Sequence, residues 1–389
     1  MKLAQRMSRL GTETAFEILA AARALEAQGR EIVHMEIGEP DFTTPANIIG
    51  AACKSLQAGH THYTPSPGIP ELRQAIAEEV SKTRGMPVDP AQVVVTPGAK
   101  PIMFYTIMAL AEPGDEVIYP NPGFPIYESM INFVGATAVP LQLREDRGFG
   151  IDLQELRSKV SKRTTLIIIN SPQNPSGGVL TREELKEIAE IAAKHDIPVL
   201  SDEIYSRMVY DGEFASITAF PGMSVSERTI ILDGFSKTYA MTGWRLGYGV
   251  MPKDLAAHIS RLMTNSNSCT SACTQYAGLE ALKGPQDESY RMIAEFKKRR
   301  DVIVAGLNKI PGIRCHNPQG AFYVFPNITG TGMKSKEMEQ FLLHQAGVAT
   351  LSGTSFGKYG EGFIRLSYAN SIANINKALD WIADALAKR

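Results

Sequence analysis

Cysteine is scarce: four in 389 residues, too few for a fold built on disulfides. Cys53, Cys269, Cys273 and Cys315 are expected as free thiols in a reducing, cytoplasmic setting, most of them buried, with Cys269 and Cys273 at the spacing of one helix face. His60 and His62 alternate with no third ligand nearby, so a loop role is expected and no metal. An excess of either charge is also missing: 40 Lys and Arg stand against 41 Asp and Glu, a formal net charge of -1. That excludes the broad basic field of a nucleic-acid binder. The run Lys297-Lys298-Arg299-Arg300 is flanked by Glu295 and Asp301 and reads as a solvated helix face. No apolar run approaches the ~20 residues that span a bilayer, the longest being Ile102 to Ala111, so no membrane partner is expected. Arg6 and Arg9 imitate the start of a signal peptide, but Glu13 and Glu17 interrupt the apolar stretch that a signal peptide needs next. There is no internal repeat. No G-x-G-x-x-G comes after the first strand, which argues against a dinucleotide-binding dehydrogenase.

What is present alternates between two periods. Thr14 to Gln28 has helical spacing and stops at Gly29; Ile32 to Ile37 reads as a strand running into Gly38-Glu39-Pro40-Asp41-Phe42. Pro45 to Leu56 is a second helix, and the Pro/Gly-stiffened loop from Tyr63 to Gly68 opens a third that runs to about Arg84. From Gln92 onward the pattern is strand, turn, helix. Strands are expected near Gln92–Val95, Glu116–Tyr119, Ala136–Leu143, Thr165–Ile169, Pro198–Leu200 and Thr229–Leu232. Thr181 and Glu184 form a capping box for the helix that ends near His195. The last hundred residues differ. A charged helix, Gln286 to Leu307, precedes short strands at Ala321–Phe325 and Phe363–Tyr368 and helices at Ser335–Gln345 and Ile372–Ala387. The expected fold is therefore α/β: a three-layer, mostly parallel sheet in a large domain, residues 46–285, with a smaller α+β domain built from both chain ends, 1–45 and 286–389.

In such sheets ligands bind beyond the carboxyl ends of the strands. Four strands put conspicuous polar residues there: Gly98-Ala99-Lys100, Asn174, Asp202 with Tyr205, and Ser236-Lys237. Lys237 sits among Phe235, Tyr239, Met241 and Trp244, and burial lowers a lysine pKa and frees its amine as nucleophile or base. Arg245, between Gly243 and Gly247, suits a phosphate. An amine able to form an imine beside a phosphate clamp is what pyridoxal phosphate requires. On that reading Lys237 takes the aldehyde carbon and Asp202 the pyridine nitrogen, with Asn174 and Tyr205 at the ring oxygen. Gly98, Ala99, Lys100, Ser236 and Arg245 take the phosphate, and Phe124 stacks on the ring. Arg365, inside an apolar strand, suits a substrate α-carboxylate. The bland alternatives are a solvated turn lysine at Lys237 and structural ion pairs for Arg245 and Arg365.

The chain resembles the class I/II aminotransferases of fold type I, near the bacterial aspartate/aromatic/alanine aminotransferases. The resemblance runs from Gly38-Glu39-Pro40-Asp41-Phe42 to Arg365-Leu366-Ser367-Tyr368. Its most specific parts are Asn174-Pro175-Ser176-Gly177, Asp202-Glu203-Ile204-Tyr205 and Ser236-Lys237-Thr238 with Gly243-Trp244-Arg245-Leu246-Gly247. It implies the same cofactor roles, with Lys237 and Asp202 as catalytic residues beside Tyr205. It implies that Gly38, Asn174 and Arg365 meet the substrate, and that Tyr63 reaches the partner's phosphate in a homodimer. Gly234, where many relatives carry a hydroxyl, and Pro101 depart from the pattern. The implied reaction is transfer of an amino group from an L-amino acid to a 2-oxo acid by ping-pong chemistry. A C–S β-lyase on the same scaffold and a non-catalytic cofactor-binding regulator are the alternatives. The residues around Phe16, Phe124 and Tyr323 favour neutral or aromatic amino acids over aspartate-like ones.

Overall fold

Residues 1–389 are described by a computed structural model. In chain order, α1 (Ala15–Glu26) and β1 (Val33–His34) precede α2 (Ala46–Gln57), α3 (Pro70–Arg84) and β2 (Val93–Thr96). Next come α4 (Lys100–Leu110), β3 (Glu116–Asn121), α5 (Ile126–Val134), β4 (Thr137–Arg144), β5 (Gly150–Ile151) and α6 (Leu153–Lys159). After these stand β6 (Thr164–Asn170), α7 (Arg182–His195), β7 (Val199–Asp202), β8 (Thr229–Gly234) and β9 (Gly247–Val250). The chain continues through α8 (Lys253–Asn267), α9 (Ala272–Lys283) and α10 (Asp287–Leu307). It ends with β10 (Tyr323–Val324), α11 (Ser335–Phe341), β11 (Val348–Ala349), β12 (Leu351–Ser352), β13 (Ile364–Ser367) and α12 (Ile372–Ala387).

One sheet of eight strands, in the order β2-β9-β8-β7-β6-β3-β4-β5, forms the middle layer. The strands from β4 through β3, β6 and β7 to β8 are mutually parallel, and β9 and β5 run against their neighbours. The central residues of β3, β6 and β8 are apolar and buried because both faces of the sheet are covered there. The pleat decides which residue goes where. In β6, Leu166 and Ile168 join the core with Tyr127 and Met130 of α5, while Ile167 and Ile169 pack with Leu185 and Ile188 of α7. In β8, Ile230 and Leu232 belong to the first core, and Ile231 packs with Leu72 and Ile76 of α3 and Ala277 of α9. Each such side chain, fully buried, contributes roughly 1.5–3 kcal/mol relative to exposure.

The expected capping box is present: the Thr181 hydroxyl accepts from the Glu184 amide at 3.1 Å, and the Glu184 carboxylate accepts from the Thr181 amide at 2.8 Å. The other Glu184 oxygen accepts from Ile151 N at 2.9 Å, so one side chain caps α7 and ties down β5. Both chain ends meet beside the sheet. β1 pairs in parallel with β11, and β13 lies between β10 and β12 in a three-stranded antiparallel sheet. No helix is long and apolar enough to cross a membrane.

Several expectations are corrected. The strand expected over Ile32–Ile37 is two residues long: Val33 and His34 pair with Val348 and Ala349, and beyond Met35 the chain leaves the β11 ladder. The helix expected over Ser335–Gln345 ends at Phe341 and continues as a π turn, Leu342–Ala346. Cys269 precedes α9 instead of sharing a helix face with Cys273, because Ser268 breaks the backbone at φ 64°. The basic run on α10 is solvated only in part. Lys298 faces water, but Arg299 and Arg300 are buried: Arg299 pairs with Asp41 at 2.6 Å and lies over the Phe42 ring, and Arg300 pairs with Asp211 and Asp301. All four cysteines are free, but only Cys315 is buried, Cys53 being exposed and Cys269 and Cys273 half-buried; His60 lies in a loop against the Tyr276 ring.

Candidate active site

A cavity of about 950 Å³ opens at the carboxyl ends of β6, β7 and β8, roofed by α1, β13 and the Ile37–Asp41 segment. It collects Gly38, Ala99, Lys100, Phe124, Asn174, Asp202, Tyr205, Ser236, Lys237, Arg245 and Arg365 from the residues singled out in the sequence. Gly98 lies beneath Arg245. Tyr63 is 89% exposed and lies outside this cavity.

Lys237 comes after β8 in a turn that Ala240 makes possible by adopting φ 50°. Its ammonium donates to the Gly38 carbonyl at 2.5 Å and lies 5.6 Å from the Phe322 ring centre. Desolvation, reinforced by the positive charge of Arg365, lowers its pKa from 10.5 to about 8. The unfolded chain therefore binds the extra proton between those values. This site's contribution to stability is missing below pH 8 and is recovered as pH rises toward 10.5. Capture of pyridoxal phosphate by the ligand-free protein needs the neutral amine. Its rate is expected to climb through about pH 8 and flatten above it. A stopped-flow pH series that keeps climbing to the ordinary lysine range would contradict a desolvated Lys237.

Asp202 ends β7 and is 8% exposed. It accepts from the Tyr127 hydroxyl at 2.5 Å and from Ile204 N at 3.3 Å. Burial raises its pKa to about 6 against the lowering effect of those donors. Tyr205 and Tyr323 share a hydrogen bond of 2.8 Å, and burial holds both phenols protonated. Behind Asp202, Arg84 donates to Glu203 at 2.7 Å and to Asp233 at 3.2 Å, so two further buried carboxylates share one guanidinium.

Arg365 is 4% exposed and has no carboxylate partner. Its guanidinium donates to Asn174 Oδ1 at 3.1 Å and to the Glu36 carbonyl, and its Nε is buried with no partner. The rings of Tyr323 and Phe356 lie 4.5 and 4.9 Å from it. A buried cation with an orphan donor is costly unless something anionic completes it.

Arg245 adopts φ 55°, which carries its guanidinium over Gly98; it donates to the Thr242 carbonyl at 2.8 Å. A Cβ at Gly98 would lie 2.2 Å from Arg245 Nη2, and one at Gly247 would lie 2.4 Å from Ala99 N. Two glycines thus clear the space where the first amides of α4 and a guanidinium converge, an anion site by construction. Gly234 has a packing reason: a Cβ there would come within 3.0 Å of Gly247 Cα. Lys100 differs from expectation. Its ammonium pairs with Glu13 and lies 5.4 Å from the Phe124 ring centre, so toward a phosphate it offers only its backbone N–H at the start of α4. Sequence reasoning missed Tyr127 and Glu13, since each acts through a partner on a distant element.

A desolvated amine, a buried carboxylate, two phenols and a cation-flanked helix start in one cavity match the donor set of pyridoxal phosphate. With a mainly parallel sheet between helix layers, they define a pyridoxal-phosphate enzyme of fold type I. The chain belongs to the family described as aminotransferase class I and II, which matches residues 30–382. A probable aspartate/prephenate aminotransferase of Aquifex aeolicus is 41% identical over 98% of this chain and 99% of its own. The aspartate aminotransferase of Thermus thermophilus, solved with maleate, superposes with a TM-score of 0.94 at 35% identity, covering 99% of this chain and 100% of that one. An alanine aminotransferase from Pyrococcus furiosus superposes with a TM-score of 0.93 at 34% identity, over 100% of both chains. The protein is thus a pyridoxal-phosphate-dependent aminotransferase acting on amino and 2-oxo acids.

Proposed function

We propose that Lys237, Asp202, Arg245 and Arg365 divide the work of transamination. The supporting observation is that Lys237 and Arg365 reach the same short segment, donating to the carbonyls of Gly38 and Glu36. Bound pyridoxal phosphate supplies an electron-withdrawing ring that makes the substrate Cα proton removable. Arg365, with Asn174 and Gly38 beside it, holds the substrate α-carboxylate and fixes the Cα toward Lys237. Lys237 anchors the cofactor in the resting enzyme and, once freed, takes the Cα proton and returns it as general acid–base. An amine with a pKa near 8 is matched to that task at neutral pH. Asp202 would keep the pyridine nitrogen protonated, with Tyr127 holding its carboxylate in place. Asn174 and Tyr205 would hold the ring oxygen and Phe124 the ring face. Arg245, Ser236 and the amides of Gly98, Ala99 and Lys100 would hold the phosphate.

The test is spectroscopic. Holoenzyme is mixed with one amino acid at a time, its absorbance is monitored, and a 2-oxo acid is then added. A change with the amino acid that reverses with the oxo acid supports these roles. Pyruvate and ammonia released from a cysteine conjugate without an oxo acid would mark a lyase.

The active unit we propose is a homodimer in which Tyr63 serves the partner's phosphate. Tyr63 projects from a proline-stiffened loop, and Met1, Leu3, Met7 and Leu10 form a run of exposed apolar side chains at the start of the chain. Tyr63→Phe is expected to weaken retention of the cofactor roughly tenfold, as for one charge-assisted hydrogen bond, while the sedimentation mass stays dimeric. Unchanged retention would remove Tyr63 from the site. We divide the chain into a cofactor domain, 46–285, and a second domain of 1–45 with 286–389, in keeping with the β1–β11 pairing of its two ends. The four free thiols favour the cytoplasm.

A further inference from the structure

Six basic side chains line the cavity, and their partners differ. Arg365 rests on Asn174 and a carbonyl, Lys237 on a carbonyl, Arg245 on a carbonyl above Gly98, and His34 between Glu26 and Glu36. Lys100 alone among the lysines and arginines of this group is matched by a carboxylate, that of Glu13. Glu13 stands just before α1 and Lys100 opens α4, so the pair spans the cavity mouth. The Glu13 side chain is 20% exposed against 50% for Lys100, so the carboxylate is the more enclosed of the two. Glu13 lines the same cavity as Lys237 and Arg365, and its negative charge offsets a small part of the lowering that burial imposes on both cations. Arg23 also lines the cavity but is exposed and lies eight residues beyond the first residue of α1, roughly 12 Å along its axis at 1.5 Å per residue.

We propose that Glu13 is a specificity-determining residue that disfavours substrates with a second carboxylate. This rests on the α-carboxylate lying at Arg365. A substrate held there sends its side chain toward the mouth, where Phe124 and Phe16 offer apolar walls and Lys100 the near cation. A distal carboxylate must displace Glu13 from Lys100 or meet its negative charge at close range. A neutral or aromatic side chain does neither. The pair therefore converts a cation that would attract dicarboxylic amino acids into a neutral rim, and uncharged donors are preferred.

Holoenzyme is titrated with succinate and with propionate, binding being read by calorimetry, in wild type and Glu13→Gln. The substitution is expected to tighten succinate about tenfold, the scale of one released charge-assisted contact, and to leave propionate unchanged within about twofold. The kcat/KM ratio of aspartate to alanine should rise by a similar factor. Adding Lys100→Met to Glu13→Gln should abolish the gain for succinate, and Glu13→Ser serves as an independent substitution should the glutamine variant fold poorly. Succinate and propionate moving together, or neither moving, would overturn the role of Glu13. If propionate instead binds wild type and Arg365→Leu equally, the carboxylate placement itself fails, and the assignment of Glu13 falls with it.

Discussion

Lys237→Ala is expected to lower turnover by about 10⁴-fold or more, the upper range for a group that both anchors the cofactor and moves the proton. Binding of pyridoxal phosphate should survive, because Arg245, the α4 amides, Asp202 and Tyr205 are independent of that side chain. Gel filtration with absorbance detection measures retention, and a coupled assay measures turnover. Removing the ammonium also frees the Gly38 carbonyl, a small structural loss because Lys237 was held there against desolvation. A small primary amine added to the variant should restore part of the rate, since the vacated volume lies inside the cavity. Turnover within tenfold of wild type would sink the assignment of Lys237.

The second large effect is one of opposite signs. Arg365→Leu should lower kcat/KM by roughly 10²–10³-fold, the loss of a bidentate charge-assisted contact to the substrate carboxylate. The same change should stabilise the ligand-free protein by about 1–3 kcal/mol, because a buried charge without a carboxylate partner is replaced by an apolar side chain. Burial already holds the Arg365 pKa below its usual value, the mark of a cation kept in place against its solvation preference. Thermal unfolding of the ligand-free variant and steady-state kinetics of the holoenzyme report the two effects separately. A variant several kcal/mol less stable would mean that Arg365 is structural.

The parallel strands were legible because strands buried on both faces are continuous apolar runs, and the polar residue that ends each run marks the site. Asn174, Asp202 and Lys237 were found that way. β9 was not, although its residues Gly247-Tyr248-Gly249-Val250 stood in the most specific motif. Its glycines are there for close approach to Gly98–Ala99 and to Ile102, and glycine in a strand weakens the local signal. Asp202–Tyr127, Lys100–Glu13 and Arg84 with Glu203 and Asp233 were invisible for another reason. Each joins residues 75 or more positions apart, and a single sequence carries no record of which distant charges meet. Arg299 and Arg300 misled in the same way: their neighbours in sequence suggested solvent, while Asp41 and Asp211 drew them inward.

The alternation along β6 and β8 sets a rule of parity for how this protein can change length. Each strand serves one core with its even members and another with its odd ones, and the same count decides which side of the sheet receives Asp202 and the turn before Lys237. Inserting one residue inside β6 would exchange Leu166 and Ile168 for Ile167 and Ile169 between two differently shaped cores, and would turn Asn170 away from Asn174 N, which it now accepts from at 2.9 Å. Tolerated length variation should therefore fall outside the strands, or come in pairs within them.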